Sequence, residues 1–131
     1  MRTITEIIIH CSATPEGRDF TVAHIDRWHR QRGWSGIGYH YVVRPDGTVQ
    51  EGRPLARAGA HCQGHNAHSI GICYIGGLDA RGRPKDTRTP AQKQALRGLV
   101  DRLLRRFPGA TVHAHNEYAP KACPCFGVGE L

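Results

Sequence analysis

The amino-acid sequence predicts an α/β fold, a single domain with a central mixed β-sheet flanked by α-helices, and three observations carry that expectation. Two apolar runs, at residues 5 to 10 and 70 to 75, are continuous rather than alternating, the pattern of strands covered on both faces. Two other stretches repeat their apolar residues at helical spacing behind capping signals. A turn signal, Pro45-Asp46-Gly47, separates two short strand-like segments and adds a further strand pair. Strands and helices joined by long crossovers make a three-layer domain. The 131 residues suffice for one core but not two, so residues 1–131 are expected to form one unit.

Taken in order, the first apolar run carries His10 at its C-terminal end, where open α/β sheets place their ligand crevices. Thr21 then reads as a helix N-cap. Phe20 before it can staple against Ile25, Ile25 and Trp28 share a face, and Gly33 ends the helix. The strand pair around Pro45-Asp46-Gly47 covers residues 39 to 43 and 48 to 51, placing Tyr39 near a strand start. The run at 70 to 75 is closed by Gly76-Gly77, and the polar stretch 78 to 88 reads as a surface loop. Thr89, Pro90 and Gln92 supply an N-cap, a proline at the first helical position and a capping-box partner. Leu96, Leu99, Val100, Leu103, Leu104 and Phe107 form the apolar stripe of that helix until Pro108-Gly109 stops it. Lys93, Arg97, Arg102 and Arg105 fall on its other, solvated face. Residues 110 to 115 read as a last short strand.

Composition narrows the function classes. No apolar run approaches the roughly 20 residues of a membrane span, and the start of the chain goes straight into a strand-like run without the long apolar core of a signal peptide. Synthesis in the cytoplasm is the expectation. Five cysteines, an odd set without framework spacing, argue against a disulfide scaffold. The net charge of +7 comes mostly from arginine and suits an anionic partner such as cell-wall polymer or nucleic acid, although it serves equally as a solubilising surface.

The chemistry concentrates in His115-Asn116-Glu117-Tyr118-Ala119-Pro120-Lys121-Ala122-Cys123-Pro124-Cys125, read with the distant His10. Two imidazoles and a thiolate suit Zn²⁺ and exclude the hard cations. They are one ligand short of a closed tetrahedron, which leaves a position for water. By spacing alone His113 and His115 are equal candidates, since residues two apart on a strand share a face. Glu117 reads as a loop residue, and no carboxylate stands in a clear general-base position.

At these residues the chain resembles the zinc-dependent N-acetylmuramoyl-L-alanine amidases, the family of the phage amidase-type lysozymes and the peptidoglycan recognition proteins. The resemblance runs through Ile9-His10-Cys11-Ser12-Ala13-Thr14, Trp28-His29 with Gly33-Trp34, Gly38-Tyr39-His40-Tyr41, Asp46-Gly47-Thr48, Gly59-Ala60-His61, Asn66-Ala67-His68-Ser69-Ile70-Gly71-Ile72, Thr89-Pro90-Ala91-Gln92 and Lys121-Ala122-Cys123-Pro124. It implies one Zn²⁺ held by His10, His115 and Cys123, the second histidine being chosen because the family places it eight residues before the cysteine. It implies that Tyr39 and Lys121 are catalytic, steadying water or the developing oxyanion, and that His61, Asn66 and His68 line a groove for stem peptide or glycan. The implied reaction is hydrolysis of the amide between N-acetylmuramic acid and L-alanine in peptidoglycan. The implied setting is a bacteriolytic enzyme of phage, prophage or bacterial origin, acting on the wall in the periplasm or outside the cell. A monomer is the default, and nucleic acid is not an expected partner. Two alternatives come from other classes: a noncatalytic peptidoglycan-binding domain, and a regulator that binds polymerase or nucleic acid. Cys125 departs from the serine common in phage relatives. A Cys125 thiolate joining the other three ligands would close the tetrahedron into a structural site. Those relatives also continue beyond the position of Leu131 into a further helix.

Overall fold

In a computed structural model, which describes residues 2–131, a five-stranded sheet organises the chain. Its strands are β1 (Glu6–Cys11), β3 (Tyr41–Val43), β4 (Val49–Glu51), β5 (Ser69–Tyr74) and β7 (Thr111–Ala114), in the order β4-β3-β5-β1-β7. Only β4 runs antiparallel, paired to β3 across the Asp46-Gly47 turn. β1 lies at the centre of parallel partners, with His10 opposite Cys73 of β5 and Ile8 opposite His113 of β7. The continuous apolar composition of β1 and β5 follows from this, because both strands are covered on both faces.

Two helices, α1 (Val22–Gln31) and α2 (Pro90–Arg106), lie on opposite faces of the sheet. α2 buries Leu96, Leu99, Val100 and Leu103 against Ile7, Ile9, Ile70 and Ile72. Each such side chain contributes about 1.5–3 kcal/mol on burial. Its start is set locally: Thr89 Oγ1 accepts from the Gln92 N–H, and Gln92 Oε1 accepts from the Thr89 N–H. The fully buried Gln92 amide then donates to the carbonyls of Val43 and Ile75, fixing the helix start to the ends of β3 and β5. On the other face Ile25 of α1 packs with Val42, Cys73 and Ile75, while Phe20 and Trp28 rest against that cluster. No helix among the described residues is long and apolar enough to cross a membrane.

Three details differ from the sequence expectations. Tyr39 precedes β3 by two residues instead of opening the strand, although its carbonyl still accepts from the Arg53 N–H. The polar stretch after β5 is not all loop: β6 (Gly77–Leu78) pairs in parallel with β2 (Thr14–Pro15). Within the same stretch Arg88 is buried, its guanidinium 3.5 Å from the Phe126 ring centroid and ion-paired to Asp86. A cation over an aromatic face and beside a carboxylate tolerates burial that composition alone does not foresee.

Candidate metal centre

Alternation along β1 puts Ile7 and Ile9 under α2 and turns Glu6, Ile8 and His10 to the opposite face. His10 thereby reaches the C-terminal edge of the sheet, where the chain leaves an open cleft of about 710 Å³. β7 ends at Ala114, and the chain turns into a short 3₁₀ segment, His115–Glu117, that swings His115 over His10 with ring centroids 4.4 Å apart. Cys123 arrives from the loop beyond. Its Sγ accepts a hydrogen bond from the Cys11 N–H at 3.2 Å. One donor atom each from His10, His115 and Cys123 lie within 4.8 Å of one another.

This donor set fits a zinc ion. Ligands at tetrahedral Zn²⁺ distances stand about 3.3–3.6 Å apart, within reach of the observed spacing by small side-chain shifts. Protonation also suits it. His10 is 1 % exposed, and burial, together with the facing His61, His115 and Lys121, holds its imidazole well below the ordinary range. Burial and the Lys121 ammonium lower His115 in the same way. Both rings are therefore neutral at physiological pH, the form that binds a metal.

His61 fixes the orientation of His10. Its Nδ1 lies 2.9 Å from His10 Nε2, and its Nε2 lies 3.2 Å from Ser69 Oγ. That partner leaves His10 Nδ1 for a metal. Burial, with His40, His115, Arg2 and Arg53 nearby, pushes His61 down to about 3, so it too is neutral and can accept on one nitrogen while donating from the other. Glycine makes room for this ring: a Cβ at Gly71 would stand 2.6 Å from it.

Of the other residues singled out from sequence, Tyr39 and Lys121 line the cleft with His61 and Asn66, but His68 does not. The Tyr39 ring centroid is 5.1 Å from that of His10. Burial and the thiols of Cys73, Cys123 and Cys11 push its phenol well up, so it remains a proton-bearing donor. Asn66 Oδ1 accepts from the N–H groups of His61 and Cys62, which fixes the loop carrying His61. His68 instead turns to Glu6, with Nε2 2.8 Å from Oε1. His113, the rival by spacing, sits inside β7 with its Nδ1 2.9 Å from Glu117 Oε1. Cys125 directs its thiol to the Gly77 carbonyl at 3.3 Å, outside the three-donor cluster.

Sequence reasoning gave no role to Arg32, Trp34 or Tyr118, which also line the cleft. Trp34 is 38 % exposed, lies 4.6 Å from the His29 ring and carries the Arg32 guanidinium at 5.5 Å. An exposed tryptophan next to a helix-ending glycine was the available signal.

The chain is similar to known proteins along nearly its whole length. A family model described as N-acetylmuramoyl-L-alanine amidase matches residues 1–126. An endolysin of Klebsiella phage KP32 is 47% identical over 124 residues, covering 95% of this chain and 82% of that protein. An endolysin of Escherichia phage T7 is 46% identical over 122 residues, covering 93% and 81%. Among solved structures, the N-acetylmuramoyl-L-alanine amidase LysC from Clostridium intestinale URNW superposes with a TM-score of 0.82 at 32% identity, over 94% of this chain and 77% of that one.

Proposed function

The chain belongs to the N-acetylmuramoyl-L-alanine amidase family, and from that premise we infer that His10, His115 and Cys123 hold one Zn²⁺ at the floor of its cleft. The protein is a peptidoglycan amidase, hydrolysing the bond between N-acetylmuramic acid and L-alanine. The observation that carries the site assignment is the convergence of His10 with His115 and Cys123, both more than a hundred residues further along the chain, at the end of the central strand.

A zinc ion held there supplies a nucleophile from water at neutral pH and a Lewis acid for the scissile carbonyl. The chain does the rest. His61 holds the His10 ring in the orientation and tautomer that a ligand needs. Tyr39 presents a phenolic O–H, and Lys121 an ammonium, to the oxyanion that develops as the carbonyl becomes tetrahedral. Both also carry the protons that the departing amine requires. Glu117 takes no part, since its carboxylate is engaged by His113 and by the Ala114 N–H.

Charge supports the same substrate. The residues lining the cleft include Arg32 and Lys121 and, among the described residues, no aspartate or glutamate. Such a groove favours the carboxylates of a stem peptide, and Trp34 at its rim offers an apolar face to sugar or peptide. We place its action on the wall in the periplasm or outside the cell, with His61 and Asn66 contributing to the groove wall.

The test is zinc content measured alongside the release of L-alanine amino termini from purified peptidoglycan. One equivalent of zinc and cleavage that are lost in Cys123→Ser but kept in Cys125→Ser support the assignment. Full zinc and full cleavage in Cys123→Ser would remove it.

A further inference from the structure

Below the catalytic cleft, at the opposite end of β1, a second set of ligating side chains converges. Glu6 opens the strand on the same face as His10. Four residues at about 3.3 Å each separate the two positions by about 13 Å, so they cannot share an ion. The loop before β5 is pinned to this end of β1 by the Thr5 N–H, which donates to the His68 carbonyl at 2.9 Å. That loop closes in a 3₁₀ turn, Asn66–His68, preceded by His65. In a 3₁₀ turn side chains three apart eclipse, and both imidazoles consequently face the same carboxylate. His65 Nδ1 lies 2.9 Å and His68 Nε2 2.8 Å from the single oxygen Oε1 of Glu6. The three donor atoms stand within 4.8 Å of one another.

We propose that Glu6, His65 and His68 form a second metal site, suited to a borderline first-row divalent ion such as Zn²⁺ or Co²⁺. Two imidazole nitrogens among three donors select this class over Ca²⁺ and Mg²⁺, which demand oxygen. The carboxylate is 12 % exposed and can take a metal in place of the two imidazole protons that now converge on it. Its state fits as well: burial raises it, but hydrogen bonds from Tyr118, His65 and His68 outweigh that and hold it at about 2, fully ionised at neutral pH. The Tyr118 hydroxyl donates to the other carboxylate oxygen, and its ring stacks on His65 at 3.9 Å. The metal would thus join β1, the loop before β5 and, through Tyr118, the segment that also carries His115 and Lys121. Two walls of the cleft would be fastened to its floor by an ion that never touches the substrate.

The site is independent of the catalytic one, and cobalt separates them. A thiolate ligand gives Co²⁺ an intense sulfur-to-metal charge-transfer absorption that imidazole and carboxylate ligands do not. Metal-free, tag-free protein titrated with Co²⁺ is expected to take two equivalents, one with the band and one without. Glu6→Gln, which keeps hydrogen-bond acceptance but is a poor ligand, and the double variant His65→Ala/His68→Ala should each lose the band-free equivalent and keep the other. The retained band reports that the fold is intact. Cys123→Ser should lose the band while the band-free equivalent remains, so failure of the catalytic assignment and failure of this one read differently. Saturation of the wild type at one equivalent that carries the band overturns the proposal. A band-free equivalent that survives in both Glu6→Gln and the double variant overturns it too.

Discussion

His10 Nε2 stands 2.9 Å from His61 Nδ1, a contact between the end of the central strand and a loop fifty-one positions further along the chain. Through it a residue outside the proposed ligand set orients one inside it.

Replacing His61 with alanine is therefore expected to weaken zinc binding by about 10–100-fold, the usual cost of removing the partner that orients a ligating imidazole. Chelator competition measures this directly. An unchanged affinity would mean that His10 needs no orientation.

Tyr39→Phe and Lys121→Ala remove one donor each from the place where negative charge develops. Each should lower kcat by about a hundredfold, in line with the loss of a single oxyanion donor, with zinc content unchanged. The informative comparison is kcat against metal stoichiometry: equal losses in both would make the residue structural.

Gly71→Ala inserts a methyl group 2.6 Å from the His61 ring, with the strand backbone fixed on one side and His10 on the other. Overpacking of this kind costs about 1–3 kcal/mol. Zinc affinity should fall together with the urea midpoint, whereas Gly98→Ala, whose surroundings on α2 are open, should leave zinc affinity unaltered.

His40 is one of the histidines, with His10, His29 and His61, that set the acid limit of stability. It is 1 % exposed, its Nδ1 accepts from the Gly71 N–H at 3.0 Å, and burial pushes it down to about 4. The folded value lies below the ordinary 6.5, so its contribution is fully present above pH 6.5 and is lost as pH falls toward 4. The loss amounts to about 3 kcal/mol at the lower end. His40→Asn, which keeps an acceptor but cannot be protonated, should make urea midpoints fall less steeply across that range. A slope identical to wild type would place the titration elsewhere.

What the sequence disclosed was whatever is encoded locally. The capping box of α2, the Gly33 stop and the doubly covered strands β1 and β5 each rest on neighbours within a few positions, and each occurs as read. The proposed metal ligands needed more. His113 and His115 are equivalent by strand periodicity, and only the break at Ala114 turns the second toward His10 while the first stays beside Glu117. Family register had pointed to His115 where geometry was silent. Hidden entirely were the features made by distant segments: Arg88 beneath Phe126, the pairing of β2 with β6, and the meeting of Glu6 with His65, His68 and Tyr118. The polar residues of such meetings look like solvated surface in a one-dimensional reading, because their partners lie dozens of positions away.

The candidate zinc ligands also divide the chain unevenly. His10 and Cys123 stand near its two ends, and 113 positions separate them. An ion joining them closes a ring around almost the whole polypeptide, including both helices and every strand between. Unfolding anywhere inside that ring must either break the coordination or proceed within a closed loop of much reduced freedom. Loading the enzyme should therefore slow its inactivation by heat as well as switching on its chemistry, and its working lifetime becomes a property of the metal supply.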